Sequence, residues 1–152
     1  MTIEVLQILS SMILGLLVGS LLTEALILVP YWRAMDPKEF LSLHSTLEHR
    51  LYRYFAPLTI AGTVLPVLAA AVPIVWGVTG HRLSLIPAIL VLMMLIIYFL
   101  YFRGANESFK TGSVGVENLS AELKKWAQWH WLRVVLGLIA FCISLIVLSK
   151  NA

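Results

Sequence analysis

Three side chains of the kinds that transfer protons and stabilise anions occur in or beside apolar sequence: Glu24, His130 and Arg133. Glu24 precedes Trp32 by eight residues, which places it roughly 12 Å inside the end of an apolar helix. A carboxyl group at this depth is costly to insert, and such groups usually face the bundle interior beside a partner. His130 and Arg133 are three residues apart, so they share a helix face and are the natural partners.

The three residue types suggest acid–base chemistry on a molecule that becomes an anion. A histidine, whose ordinary pKa is about 6.5, suits the role of general base at neutral pH. A permanently charged arginine suits the stabilisation of an oxyanion in a low-dielectric pocket. We therefore predict that His130 and Arg133 are catalytic and that Glu24 orients the histidine or balances the arginine. The alternative for His130 is an interfacial residue among tryptophans.

Further polar groups lie toward the same side of the predicted membrane. His49 and Arg53 are four residues apart and share a helix face, although both have snorkelling to the interface as an alternative. We predict a pocket walled by six side chains: Glu24, His49, Arg53, Asn106, His130 and Arg133. The predicted substrate-binding residues are Arg53, Asn106, Trp126, Trp129 and Tyr98. The tryptophan rings would stack on a flat aromatic substrate.

Four of the side chains offer nitrogen and oxygen ligands for a metal: His49, His44, His130 and Glu24. Two histidines with a carboxylate suit non-haem iron, more nitrogen ligands suit copper, and one histidine can ligate haem. His44 and His49 are five residues apart, which matches no diagnostic metal motif. The sequence therefore leaves the cofactor unassigned, with iron or copper ahead of haem. The single Cys142 excludes an intrachain disulfide and a CxxC redox centre.

The elements that must position these residues are apolar helices. Of the 152 residues, 60% are hydrophobic and 12% are charged, whereas a soluble domain is about 45–50% apolar and about 25% charged. Four segments have the roughly 20 residues needed to cross a bilayer, at about 3–32, 55–78, 83–102 and 131–148. Barrel strands are shorter and alternate in polarity. We predict an all-α bundle of four transmembrane helices, forming one integral-membrane domain over 1–152 in contact with the lipid bilayer.

Two stretches lie outside the four apolar segments. Asp36 and Pro37 form a helix start, and the apolar residues after them recur at helical spacing. This pattern predicts an amphipathic helix that leads into the second span. Residues 103–125 contain three glycines and predict a loop, with Ser120 as the N-cap of the fourth helix. The first segment lacks a basic leader and a cleavage site, so we expect a retained helix rather than a signal peptide.

The basic residues are distributed unevenly between the two sides of the predicted membrane. Nine of the eleven lysines and arginines flank the first and third connections: Arg33, Lys38, Arg50, Arg53, Arg103, Lys110, Lys124, Lys125 and Arg133. The positive-inside rule predicts that loops 33–54 and 103–125 are cytoplasmic and that both termini are on the outer side. The net charge of +3 is then a topology signal rather than a sign of nucleic-acid binding. The outer half has no acid or base inside a span, and we expect it to be dry.

Three groups of residues, spread over nearly the whole chain, form one pattern: Gly15, Gly19, Glu24 and Pro30 in the first segment, Asn106 after the third, and Trp126, His130 and Arg133 at the start of the fourth. In this pattern the chain resembles the anthrone-oxygenase-like family of small four-helix membrane proteins. The resemblance implies oxygenation at an activated carbon of a polycyclic aromatic, such as anthrone to anthraquinone, without an obvious cofactor.

The leading functional hypothesis is a membrane-embedded oxidoreductase or oxygenase that acts on a hydrophobic small molecule in a cytoplasm-facing polar pocket, with or without a metal. The alternative is a non-enzymatic membrane subunit for binding, transport or structure, as a monomer or a homo-oligomer. A transporter needs polar access from both sides and often shows inverted repeats, and the sequence has no convincing repeat. In a structural subunit the polar cluster would only hold the helices together.

Overall fold

Four long helices make up the computed structural model, which describes residues 2–151. Helix α1 runs over Thr2–Ala34, α2 over Pro37–Val75, α3 over Arg82–Thr111 and α4 over Val116–Asn151. Each is long and apolar enough to cross a membrane, and the described residues include no strand. The chain is therefore a multi-pass integral membrane protein, and the prediction of an all-α four-helix bundle is confirmed.

The four helices pack in a ring, in which α1 contacts α2 and α4, and α3 contacts the same two helices. Short connections make successive helices antiparallel. Gln7, near the start of α1, accordingly lies beside His81 of the turn between α2 and α3, with 3.1 Å between their side-chain nitrogens. We call this end of the bundle, which carries the start of α1 and the end of α4, the terminal end. The opposite end, with the connections after Ala34 and Thr111, is the basic end.

Helix α2 begins where the sequence predicts. The carboxylate of Asp36 accepts hydrogen bonds from the backbone N–H groups of Lys38 and Glu39, at 2.9 and 3.4 Å, which is an ordinary N-cap. The helix then continues without interruption from Pro37 to Val75. The amphipathic stretch and the second span are thus one helix, as expected, and residues 37–54 are helical rather than a loop.

The prediction that residues 103–125 form a loop is wrong. Helix α3 continues to Thr111 and α4 already begins at Val116. Gly112 and Gly115 both have positive φ, at 70° and 75°, a conformation that glycine adopts without steric cost. They complete the turn within four residues, so most of the stretch remains helical. Ser120 consequently lies inside α4 and does not cap it.

Two of the helices contain a π-helical turn near the basic end. In α1 it covers Glu24–Leu28 and in α3 it covers Tyr98–Phe102. Such a turn inserts one residue into the α-helix and frequently marks a functional site. In α1 the turn precedes Pro30, which has no N–H to donate and whose ring crowds the carbonyl four residues before it. A widened turn relieves this crowding.

The apolar surface of the bundle is divided between a packed interior and an outer face that suits lipid. Buried side chains such as Leu14, Leu21 and Val134 have no measurable exposure. Many large apolar side chains remain exposed on the helix exteriors, Leu100 at 80% among them. Exposure on this scale is incompatible with a water-soluble surface but suits contact with acyl chains.

Candidate functional site

Glu24 and His130 meet in the interior, as the sequence predicts. The Glu24 side chain begins the π-turn of α1 and lies 3.7 Å from His130, measured between Oε2 and Nε2. The same Nε2 donates to the backbone carbonyl of Leu21 at 2.9 Å. A carbonyl oxygen only accepts, so this bond assigns the imidazole hydrogen to Nε2. The lone pair of a neutral imidazole is then on Nδ1.

The Nδ1 atom of His130 is one of four buried side-chain atoms without a hydrogen-bond partner among the described residues, the others being Oγ of Ser11, Nδ1 of His44 and Nε of Arg133. His130 is completely buried, and its Nδ1 has no hydrogen-bond partner among the described residues. Buried polar atoms are nearly always satisfied, so each exception needs an explanation. The geometry thus leaves the basic nitrogen of a buried imidazole unused by the fold.

Arg133 completes the predicted trio. It is one helical turn after His130, and only 8% of its surface is exposed. Its guanidinium carbon lies 4.7 Å from the centre of the Phe102 ring, and its charge interacts favourably with Glu24. The guanidinium Nε has no hydrogen-bond partner in the described part of the chain. A carboxylate, an imidazole and a guanidinium therefore share one buried region, which we call the Glu-His-Arg cluster (Glu24, His130 and Arg133).

Aromatic side chains fix the position of the imidazole. Trp126, one turn before His130, stacks on it with ring centres 4.9 Å apart and an interplanar angle of 16°. The indole N–H of Trp126 donates to Oδ1 of Asn106 at 2.9 Å. Phe102 places its ring against both, with centres 5.2 Å from Trp126 and 6.5 Å from His130. Asn106 therefore holds Trp126, and Trp126 holds the imidazole.

The other predicted substrate-binding residues divide into those near the cluster and those away from it. Tyr98 is partly buried and interacts electrostatically with Arg133. Trp129 is partly buried but stacks on Tyr101, with ring centres 5.6 Å apart. The Tyr101 hydroxyl donates to Glu122 at 2.7 Å. Trp129 thus belongs to a neighbouring seam between α3 and α4.

Helix α2 does not contribute the side chains expected of it. His49 and Arg53 are exposed, so the structure does not bring them to the pocket that they were predicted to wall. The inner face of α2 presents Phe40 and His44 instead, both buried. His44 and His49 are five residues apart, about 140° around a helix, so they cannot both face inward.

The structure gives no support to the predicted metal site at His49, His44, His130 and Glu24. His44 packs between Phe40 and Phe109, with ring centres 5.5 Å from each. Within residues that the structure describes, no group of three or more His, Cys, Asp or Glu side chains is placed to hold a metal ion. The four predicted ligands are therefore not gathered around one metal position.

The terminal end is more polar than the sequence suggests. Five buried side chains there are neutral and polar: Gln7, Ser10, Ser11, Ser84 and Ser144. Four of them help to line a cavity of about 10 Å³, the space of a single water molecule. The half that the sequence predicts to be dry thus contains neutral polar side chains at this end. Buried leucines, Leu14, Leu17 and Leu21, separate these groups from the Glu-His-Arg cluster.

An open groove lies at the basic end, on the seam between α1 and α4. It has a volume of about 360 Å³ and is lined by Pro30, Arg33, Ala34, Ser120 and Leu123. Leu123 is one turn before Trp126 and two turns before His130. The groove is thus roughly 10 Å from the imidazole along the axis of α4. Sequence patterns do not reveal this groove, because its lining comes from two helices that meet only in the fold.

Fold and site together define a class: an integral-membrane four-helix bundle with a buried carboxylate, imidazole and guanidinium near one end. Comparison with protein-family models, curated proteins and solved structures gave no match for this chain. The resemblance to the anthrone-oxygenase-like family therefore stays a prediction.

Proposed function

We propose that the chain is a membrane-embedded oxygenase that acts on a hydrophobic, flat aromatic molecule with an acidic C–H bond. The observation that carries this proposal is the free Nδ1 of His130, a buried basic nitrogen with no partner among the described residues. A general base needs a lone pair that the fold does not consume. Arg133 lies one turn away, and its charge interacts favourably with Glu24.

In the proposed reaction, His130 Nδ1 takes a proton from the activated carbon of the substrate. Arg133 stabilises the anion, whose charge is shared with a conjugated oxygen. The negative charge of the Glu24 carboxylate compensates for the protonated imidazole and the guanidinium, so that the interior does not hold two uncompensated positive charges. The carbanion is oxidised by O₂, and a hydroperoxide forms at that carbon. Loss of water then gives a ketone: one oxygen atom enters the product, the other leaves as water, and His130 returns its proton.

The buried position of His130 requires the site to open before substrate can bind. Trp126 covers the imidazole with its ring face, and its single side-chain hydrogen bond is to the half-buried Asn106. Breaking this bond and turning the indole would uncover one face of the imidazole, and a rotation of the ring would then present the in-plane lone pair of Nδ1 to substrate. The freed indole face would then be available to stack on the aromatic substrate.

The proposal includes the orientation of the chain. The positive-inside rule favours a cytoplasmic basic end with both termini on the outer side. Substrate would then reach the Glu-His-Arg cluster from the cytoplasmic leaflet.

The experiment uses anthrone as the probe and detergent-purified protein. Oxygen uptake and the absorbance of anthraquinone are followed together, and they should rise in a 1:1 ratio. Separate replacement of Glu24, His130 and Arg133 by alanine should reduce the rate by about 100-fold or more, because each removes a member of the acid–base apparatus. His49→Ala is the matched control and should keep full activity. Full turnover in all three variants would remove the proposal.

One observation favours a second candidate, in which the cluster only holds the bundle together. His130 lines neither the groove at the basic end nor the small cavity at the terminal end, and the imidazole is fully covered. Thermal unfolding separates the two functions. If Glu24→Gln lowers the midpoint of unfolding while anthrone never raises it in the unsubstituted protein, the cluster has a structural role.

A further inference from the structure

The geometry points to a second site: the groove at the basic end binds the anionic group of an amphiphilic ligand and is where substrate gains access to the Glu-His-Arg cluster. This inference rests on the proposed function, because the ligand is a substrate only if the chain is an enzyme. The chemistry that it assigns is an oxyanion, such as a carboxylate or a phosphate, joined to a flat apolar body.

The lining of the groove has the composition that such a ligand needs. Arg33 supplies a guanidinium and Ser120 a hydroxyl, whereas Pro30, Ala34 and Leu123 are apolar. The volume of about 360 Å³ falls within the range of about 300–1,000 Å³ for small-molecule sites. The lining contains no carboxylate, so nothing in it repels an anion.

Arg33 is free to take a ligand. Its side chain is exposed and has no hydrogen bond or ion pair with any other described residue. Two other basic residues at this end are engaged, since Lys110 pairs with Glu48 at 3.5 Å and Lys125 lies over the ring of Tyr101. A guanidinium binds a carboxylate or phosphate in bidentate fashion. The nearby acid, Glu117, is one turn before Ser120 and outside the lining.

The groove lies next to two buried tryptophans, Trp32 and Trp126. Trp32 precedes Arg33 in α1, and Trp126 follows Leu123 by one turn in α4. The two indoles contact each other edge to face, with ring centres 6.1 Å apart, and both are buried. A ligand that extends from Leu123 in the groove to His130 needs an apolar body roughly 10 Å long, provided that Trp126 turns aside. The anionic group and the reacting carbon should therefore be at opposite ends of the substrate molecule.

The test measures binding without turnover, under argon and in a neutral maltoside detergent. The probe is anthracene-2-carboxylate, whose emission is excited by energy transfer from tryptophan. Charge-assisted hydrogen bonds contribute about 1.5–3 kcal/mol, so Arg33→Gln should weaken binding by about 10- to 100-fold. Arg50→Gln, an exposed arginine of α2 at the same end, is the control and should bind as the unsubstituted protein does. Ser120→Leu, which fills the groove and keeps the charge, should also weaken binding.

Two further ligands distinguish the source of the anion. Dodecyl phosphate should displace the probe, whereas inorganic phosphate at the same concentration should not, if the apolar body contributes. Equal binding of uncharged anthracene, or unchanged binding in Arg33→Gln, would overturn the inference. Binding of dodecyl phosphate that depends on Arg33, with no binding of the aromatic acid, would assign the groove to lipid headgroups and overturn its role in substrate access.

Failure of the proposed function and failure of this inference have different signatures. Glu24→Gln should abolish anthrone oxidation but retain binding of the probe. Binding that depends on Arg33 without any turnover refutes only the oxygenase. Turnover of an anthrone carboxylic acid with the same KM in the unsubstituted protein and in Arg33→Gln refutes only the groove.

Discussion

The carboxylate of Glu24 and the guanidinium of Arg133 should be energetically coupled, and their positions set the size of the coupling. Their side chains are buried, and their charges attract each other. Two opposite unit charges about 4 Å apart interact by about 4 kcal/mol at an effective dielectric constant of about 20. The described residues include no Glu24–Arg133 ion pair within 4.0 Å. We therefore expect a weaker coupling, about 2–3 kcal/mol.

A double-mutant cycle measures this coupling directly. Glu24→Gln and Arg133→Met each leave the partner charge buried without compensation, which should cost about 3–5 kcal/mol. For a chain of this size about 1 kcal/mol corresponds to about 2–4 °C in the midpoint of unfolding. Each single variant should therefore lose roughly 6–20 °C. The double variant should lose about 2–3 kcal/mol less stability than the sum of the losses of the two single variants.

Thermal unfolding in detergent at about pH 8, at one fixed scan rate, provides the measurement. Glu107→Gln is the control, because that side chain is 63% exposed and lies 3.9 Å from Lys110. Its free energy of unfolding should change by less than about 0.5 kcal/mol. If the losses of the two single variants simply add in the double variant, the guanidinium is not the charge partner of Glu24, and our account of the cluster fails.

Three further predictions concern packing and the edges of the site. Gly137→Ala should lower stability by about 1–3 kcal/mol, because its Cβ would lie 3.0 Å from a buried valine methyl; Gly19→Ala, with nothing within 4 Å of its Cβ, should not, and thermal unfolding of the pair checks this. His49→Ala and Arg53→Ala should keep the stability and activity of the unsubstituted protein, since both side chains are exposed; a large loss in either assay would restore them to the site. Asn106→Ala removes the acceptor of a buried indole N–H and should cost about 1–3 kcal/mol, whereas Asn106→Asp keeps an acceptor and should retain most of that stability in the same unfolding assay.

Hydropathy predicted the overall fold well because the bilayer imposes a single strong requirement on the chain. A spanning segment must satisfy its backbone internally and expose apolar side chains. This requirement marks each of the four helices, and it also makes Glu24 conspicuous. The connection at 103–125 was predicted wrongly because it is polar and contains glycine, as a loop does. Only Gly112 and Gly115 form the turn, whereas Gly104 lies inside α3 with open space around it.

Burial on α2 was harder to predict because its first half is not continuously apolar. His44 and His49 carry the same chemistry, and the sequence does not say which of them faces inward. The fold decides through Phe40 and Phe109, which enclose His44 on both sides. The buried serines of the terminal end were overlooked for a different reason. A neutral hydroxyl barely lowers the hydropathy of an apolar segment, and Ser144 returns its hydrogen bond to the carbonyl of Phe141 in its own helix.

The accuracy of the site prediction depends on the regularity of each helix. Helix α4 is α-helical throughout, so the spacing of Trp126, His130 and Arg133 correctly placed all three on one face. Helices α1 and α3 each contain a π-turn, and one inserted residue rotates the rest of the helix by roughly 100° relative to an ideal helix. Periodicity therefore could not reveal that Phe102 faces the cluster or that Trp32 packs against Trp126. The irregular turns bring the aromatic walls to the histidine, and they are the part of the site that a regular helical pattern conceals.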